Sequence, residues 1–340
     1  MTNKQQPIGT GFTPASTAAE VAAGIDLSGR YAIVTGGHRG IGLATTTALA
    51  AAGATVVVAV RNPARAAAAL ADLDRVEADR LDLLDPTSID AFVARYLDSG
   101  RPLHILVNNA GIMGGPLVRD ARGYESQFAT NHLGHFQLTL GLLPALRAAH
   151  GARVVNVTSG GHRVSDIRWD DPHFAHGYDE MGLLGYGQSK TANVLFAVEL
   201  DRRWADAGIH GYAVHPGVVA TTSLGPVRAE GEPRPPWLST EQQQAMGILD
   251  DAGAPVIDPE YELKTVEQGA STSVFAATSP LLADLGGVYL MDNDVSPLGT
   301  RQPIDFHGPQ QDISSTVVPH AIDPDSARRL WDLSERLIAR

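Results

Sequence analysis

The stretch Y-A-I-V-T-G-G-H-R-G-I-G, residues 31–42, constrains what this chain can fold into more than any other. Tyr31, Ala32, Ile33 and Val34 form a short apolar run that reads as a buried strand. Thr35, Gly36, Gly37, Gly40 and Gly42 follow as a turn nearly free of side chains, and from Ile41 the pattern is helical. Strand, glycine turn and helix N-terminus in succession make an anion site. Glycine lets the backbone approach a phosphate, and the first helical N–H groups point at it. A plain tight turn is the competing reading of the same glycines.

Downstream, apolar runs alternate with helical patterns. Strand-like runs fall at residues 31–34, 55–60, 80–83, 105–108, 153–158, 211–215 and 288–290. Helical patterns fall at 41–52, 64–73, 88–97, 124–149, 187–207 and 266–277. Such alternation with short connections implies a parallel sheet covered by helices on both faces. The 340 residues, 44% hydrophobic and 19% charged, are enough for a substantial core. Residues 1–28 read as a polar N-terminal extension with a short helix near 18–24. Residues 29–291 read as the main domain, and 292–340 as a C-terminal extension ending in a helix with Asp323 as N-cap and Pro324 at its first position. Two segments break the rhythm, 160–185 and 222–263. Both follow strand C-terminal ends, where open α/β sheets place ligands.

The net charge of −12 argues against a nucleic-acid or anionic-membrane partner, since both need basic clusters. With no cysteine there is no disulfide framework, thiolate zinc site or cysteine nucleophile. The start lacks a basic-then-apolar leader, so a cytoplasmic location is expected. Residues 41–60 carry no charge over a length of about 20 residues, that of a membrane span. Gly53 divides them into a helix and the β-branched run 55–60, so no span is expected. His132 and His135, three apart, and the group His162, His173 and His176 invite a metal reading. No H-E-x-x-H occurs and acidic neighbours lack ligand spacing, so no metal is expected.

Tyr186 and Lys190 stand at i and i+4 in Y-G-Q-S-K, which puts phenol and ammonium on one helix face. A free tyrosine, with a pKa of about 10, is a poor base at neutral pH, and a neighbouring cation favours its phenolate. Such a pair can give and take a proton at a carbonyl or alcohol oxygen, although the spacing is also common on plain helix surfaces.

The pattern T-G-x-x-x-G-x-G is spelled by Thr35, Gly36, Gly40 and Gly42. It is followed by Asn108-Asn109-Ala110-Gly111 after a strand, by Tyr186 to Lys190, and by His215-Pro216-Gly217 after a later strand. In this order the motifs resemble the short-chain dehydrogenase/reductase family, over residues 27–291. The wider G-x-G-x-x-G fingerprint is absent. The resemblance implies a Rossmann-type α/β fold, a doubly wound parallel sheet in a single domain with terminal extensions.

It also implies roles. Tyr186 is the expected proton-transfer residue, and Lys190 would hold the nicotinamide ribose and lower the tyrosine pKa. Ser159 would hydrogen-bond the substrate oxygen, with Thr158 as a competing hydroxyl. Asn131, in A-T-N-H-L-G-H-F, would position a water for proton relay. The segment 160–185 sets Ser159 further from the tyrosine than the family norm, as in one branch of the family. Gly36, His38, Arg39, Gly40, Ile41 and Gly42 would form the phosphate turn, and Asp82 and Leu83 would meet the adenine. Asn108, Ala110 and Gly111 would line the cofactor, with Pro216, Gly217, Val219 and Thr221 beside the nicotinamide.

An acidic residue at the end of the second strand would hold both ribose hydroxyls and repel a 2′-phosphate. Here Arg61 stands there and Arg39 lies in the glycine turn. Two guanidinium forks match phosphate oxygens, so NADP(H) is expected rather than NAD(H). The expected activity is hydride transfer between nicotinamide and a carbonyl or alcohol. N-H-L-G-H-F and S-K-T-A-N-V-L-F look like the retinol dehydrogenase, WW-domain oxidoreductase and protochlorophyllide reductase branch. Together with Trp169, Phe174, Tyr178, Met181, Trp237 and Leu238 in the long loops, they imply a bulky apolar substrate. A non-catalytic NADP(H) sensor or scaffold, and an epimerase or dehydratase, are the alternatives. Family members pair through the helices holding Asn131 and Tyr186, so a homodimer or homotetramer is expected unless the extensions cover that surface.

Overall fold

The computed structural model describes residues 4–222, 224–226, 238–300 and 314–339. A short helix, α1 (Ala18–Val21), is closed by a Thr17–Glu20 capping box. There follow β1 (Tyr31–Thr35), α2 (Gly40–Ala51), β2 (Thr55–Val60), α3 (Pro63–Leu70), β3 (Val76–Arg80), α4 (Pro86–Asp98) and β4 (Ile105–Asn108). A broken helical run comes next: α5 (Ser126–Phe128), a π turn (Ala129–Leu133), α6 (Gly134–Gly141) and α7 (Leu143–Ala148). Then come β5 (Ala152–Val157), α8 (Leu183–Trp204), β6 (Ile209–Val214), α9 (Thr240–Ala245) and α10 (Val266–Thr278). The last elements are β7 (Val288–Met291), β8 (Asp294–Val295) and α11 (Pro324–Ile338).

The strands form one sheet in the order β3-β2-β1-β4-β5-β6-β7-β8, parallel except for β8, which runs antiparallel to β7. This is the doubly wound Rossmann-type sheet. Period-two alternation sends Val34, Val56, Val58 and Val107 into one core layer, with α1, α2 and α10. Ile33, Val57, Leu106 and Val154 go into the other, with α4, α6 and α8. Both faces are dry, so the β-branched run TVVVAV is buried almost throughout. The strand order reverses between β1 and β4, which opens a crevice at the carboxyl ends of the strands.

Several elements differ from the expectation. The third strand is 76–80 rather than 80–83. Its sequence, VEADR, is half exposed on the sheet edge and carries no apolar run to announce it. The helix expected over 124–149 is broken by the π turn and again near Pro144, which has no N–H to continue it. Helix α8 starts at Leu183, not 187, after Gly182 in a left-handed conformation (φ +70°). The uncharged stretch 41–60 divides into helix and strand, and among the described residues no helix is long and apolar enough to cross a membrane.

The C-terminal helix begins where expected, with the Asp323 carboxylate accepting from Ser326 N–H at 2.7 Å. It lies on α8. Trp331 is buried against Phe136, Phe196 and Trp204, with ring centroids 5.0, 5.8 and 5.3 Å away. The Ser334 hydroxyl and His132 Nε2 are 2.8 Å apart.

Candidate active site

The glycine turn is built by close approach. Gly36 (φ +67°) and Gly40 (φ +51°) adopt left-handed conformations that side chains resist. A Cβ at Gly42 would lie 2.5 Å from Asn109 Nδ2 and 2.6 Å from the Gly36 carbonyl oxygen. The turn is stitched to the end of β4. Thr35 Oγ1 accepts from the N–H groups of Asn109 and Ala110, each at 2.9 Å. Asn109 Nδ2 donates to the Thr35 carbonyl at 2.8 Å. Asn109, read at first only as part of a motif, is thus a structural tie.

A cleft of about 880 Å³ runs from this turn across the carboxyl ends of the strands. Beside β2 and β3 it is lined by Arg39, Arg61, Arg65, Asp82 and Leu83. Burial, and then the charge of Arg61, pull the Arg39 guanidinium below its ordinary pKa, so these cations repel one another across the cleft. An anion between them would relieve that repulsion. Arg65, missed in the sequence, sits one turn beyond Arg61. Asn62 caps α3 by accepting from Arg65 N–H at 3.0 Å, and Asn62-Pro63 was the available signal.

Beside β5 and α8 the same cleft holds Ser159, Tyr186 and Lys190. Tyr186 lies in the first turn of α8, packed against Gly161, where a Cβ would come within 2.8 Å of its ring. Burial pushes the phenol up to about 12, with the Ser159 hydroxyl as a hydrogen-bond partner acting against that. Lys190 Nζ donates to the Val157 carbonyl at 3.0 Å, and burial pushes its own pKa down to about 8. The ammonium stands 5.5 Å from the Tyr186 ring centroid. Desolvation outweighs the Ser159 hydrogen bond and keeps the phenol above its ordinary pKa, so at neutral pH Tyr186 holds its proton.

Thr158 Oγ1 donates to the Lys190 carbonyl at 2.8 Å, which removes it as a rival to Ser159. Gly36, His38, Gly40, Ile41, Gly42, Ala110 and Gly111 line the cleft, as do Pro216, Gly217, Val219 and Thr221. Two expected residues do not. Asn108 is buried behind the wall, donating to Asn156 Oδ1 at 2.8 Å and Thr139 Oγ1 at 3.2 Å. Asn131, in the π turn, spends both amide protons on the Ile112 carbonyl (3.0 Å) and Ser189 Oγ (2.9 Å), and Oδ1 accepts from Ile112 N–H (2.9 Å). It shapes the cleft through Ile112 rather than by facing it.

The apolar wall is not the expected one. Trp169 packs under Arg329 of α11, Phe174 lies buried against Tyr178, and Met181 is exposed. Tyr178 is held by Gln127 and Glu125. Trp237, with Pro233, Pro235 and Pro236, lies outside the described residues. Leu238 does line the cleft, joined by Met113, Val164, Leu183, Met246 and Ile248. The histidines serve as separate ties: His135 to Thr35, His132 to α11, His162 to the Ser159 carbonyl. Among the described residues no group of three or more potential metal-ligating side chains occurs.

The chain has relatives among known proteins. A family profile described as short chain dehydrogenase matches residues 30–170. The chain is 43% identical to a "Probable oxidoreductase" of Streptomyces lividans, over 91% of this chain and 97% of that protein. It is 32% identical to retinol dehydrogenase 12 of Homo sapiens, over 92% of this chain and 88% of the other. A solved structure of a protein from Mycobacterium paratuberculosis superposes with a TM-score of 0.68 at 30% identity, covering 96% of this chain and 98% of that one. The Pseudomonas aeruginosa RhlG/NADP complex superposes at 0.55 with 24% identity, covering 78% and 95% of the two chains, a likeness of fold alone.

Proposed function

The chain belongs to the short-chain dehydrogenase/reductase family and is an oxidoreductase, and from that premise we propose that it is NADP(H)-dependent and acts on a carbonyl or alcohol of a bulky apolar substrate. The observation that carries this reading is the meeting of Ser159, Tyr186 and Lys190 in a cleft whose other end holds three arginines.

The residues present fit such a cofactor. Gly36, Gly40, Ile41 and Gly42 line the cleft at the start of α2, where the glycines leave the first helical N–H groups open to a pyrophosphate. Arg39, Arg61 and Arg65 would hold a 2′-phosphate, and Lys190 the nicotinamide ribose. When bound, the nicotinamide supplies or accepts the hydride. The remaining work is done by the chain. Ser159 donates to the substrate oxygen and orients it. Tyr186, protonated because burial keeps it so, delivers its proton to that oxygen in reduction and takes one back in oxidation. Met113, Val164, Leu183, Leu238, Met246 and Ile248 exclude water and favour an apolar substrate body.

The test is turnover of NADPH with a panel of ketones and aldehydes. Consumption with bulky apolar carbonyls, lost in Tyr186→Phe, supports the reading. Tight NADPH binding with no turnover across the panel would favour a non-catalytic sensor, and isomerised product without net cofactor consumption an epimerase.

A further inference from the structure

We propose that His215, held in one tautomer by Glu262, is a positioning residue for Ser159. The proposal rests on the reading of Ser159 as the hydroxyl that takes the substrate oxygen.

His215 follows β6 and is buried. Its Nδ1 lies 3.1 Å from the backbone nitrogen of Gly160, and its Nε2 lies 2.9 Å from Glu262 Oε2. A backbone N–H only donates, so Nδ1 presents its lone pair and the ring proton sits on Nε2, aimed at the carboxylate. Burial pushes the Glu262 carboxyl up, but His215, Ser315 and Lys264 together outweigh it and hold the group below its ordinary pKa, an ionised acceptor. Ser315 Oγ donates to the same oxygen, Oε2, at 2.6 Å.

This geometry clamps the peptide between Ser159 and Gly160 from both sides. Its N–H goes to His215. Its carbonyl accepts from His162 N–H at 3.1 Å and lies 2.7 Å from His162 Nδ1. The Ser159 hydroxyl, which accepts from Gly161 N–H at 3.1 Å, is carried by that peptide. Glu262 also fixes the neighbouring turn, because its own carbonyl accepts from Val218 N–H at 2.7 Å. It does so from a left-handed conformation (φ +65°) unusual for a side-chain-bearing residue. One residue therefore references the Ser159 loop and the 216–218 turn to each other. With the proton on Nδ1 instead, two N–H groups would face each other and the Ser159 peptide would lose its anchor.

Histidine ¹⁵N NMR of the full-length chain reads the tautomer directly. His215 is expected as Nε2–H in the wild type and in Glu262→Gln, whose amide oxygen still accepts, and as a tautomer mixture in Glu262→Ala. In kinetics with NADPH and the fastest carbonyl of the panel, Glu262→Ala and His215→Phe should lower kcat about tenfold or more, as a misplaced reacting group does. The NADPH Kd should stay within about threefold, and Glu262→Gln should recover most of kcat. In a Ser159→Ala background neither change should lower kcat further, because the effect passes through that hydroxyl. Nδ1–H in the wild type, unchanged kcat in Glu262→Ala, or losses that add to that of Ser159→Ala would each overturn the proposal. Wild-type kcat in Ser159→Ala alone would instead overturn the reading of Ser159, and the NMR result would still decide the His215–Glu262 clamp.

Discussion

Replacing Lys190 by methionine separates what the site needs from what the fold prefers. The lysine is 4% exposed, and burial alone lowers its pKa from 10.5 to about 8. At about 1.4 kcal/mol per pH unit, the folded protein carries this ammonium at a cost of about 3 kcal/mol. Because the folded pKa is the lower one, the unfolded chain binds more protons between pH 8 and 10.5, and wild-type stability rises with pH across that window. Methionine fills similar space without the charge, and the Val157 carbonyl keeps its bond from Asn193 Nδ2 at 3.2 Å. Without cofactor, Lys190→Met should therefore be more stable than wild type at pH 7 by up to about 3 kcal/mol, an advantage that shrinks to about 1 kcal/mol by pH 10. Urea unfolding of both proteins at each pH unit from 7 to 10 measures the difference, in which the other titrating groups cancel. A difference that does not change with pH, or a destabilised variant at pH 7, would refute the reasoning. The same variant should lose NADPH affinity and turnover.

Further outcomes follow from other contacts. Gly161→Ala would bring a Cβ within 2.8 Å of the Tyr186 ring and 3.4 Å of Ser159 Oγ; moving the phenol by about half an ångström should cut kcat about tenfold or more while thermal stability changes little. Arg39→Ala combined with Arg61→Ala should cost about tenfold or more in NADPH affinity and leave NADH binding nearly unchanged, in a fluorescence titration with both cofactors. Helix α11 covers the face of α6 and α8 expected to pair subunits, so light scattering should give a single-chain mass. Trp331→Ala should cost about 3–5 kcal/mol in denaturant unfolding, since it empties a site walled by Phe136, Phe196 and Trp204.

The glycine turn and the Tyr186–Lys190 pair were legible because their signals are local. Residues 36–42 need glycine for reasons of backbone geometry that any window of sequence displays, and Tyr186 and Lys190 announce themselves by helical spacing. The edge strand β3 was misplaced because an exposed edge has no need of an apolar run. Asn108 and Asn131 came with correct motifs, but a motif does not say which way a side chain faces. Both proved to be ties behind the wall. The substrate wall was least legible. Trp169 and Phe174 have the composition of a binding loop yet pack on α11 and on the loop itself, because an aromatic side chain is stabilised by any dry neighbour.

That contrast has a structural cause at Glu262. The glycine turn joins residues 35–42 to 108–111, two strand ends adjacent in the sheet. The Ser159 loop is instead held by contacts of long range in sequence: Gly160 to His215, His215 to Glu262, Glu262 to Ser315. Glu262 and Ser315 lie outside the stretch 30–170 that the family profile matches. Arg163 ties the same loop to the C-terminal segment through the Thr316 carbonyl at 2.6 Å and the Thr300 carbonyl at 2.7 Å. A Cβ at Gly160 would collide with Ser315 Oγ. The C-terminal extension is therefore part of the cleft wall rather than an appendage to the domain. A change in residues 314–318 should alter kcat and carbonyl preference while leaving cofactor affinity alone, whereas a change in 36–42 should do the reverse.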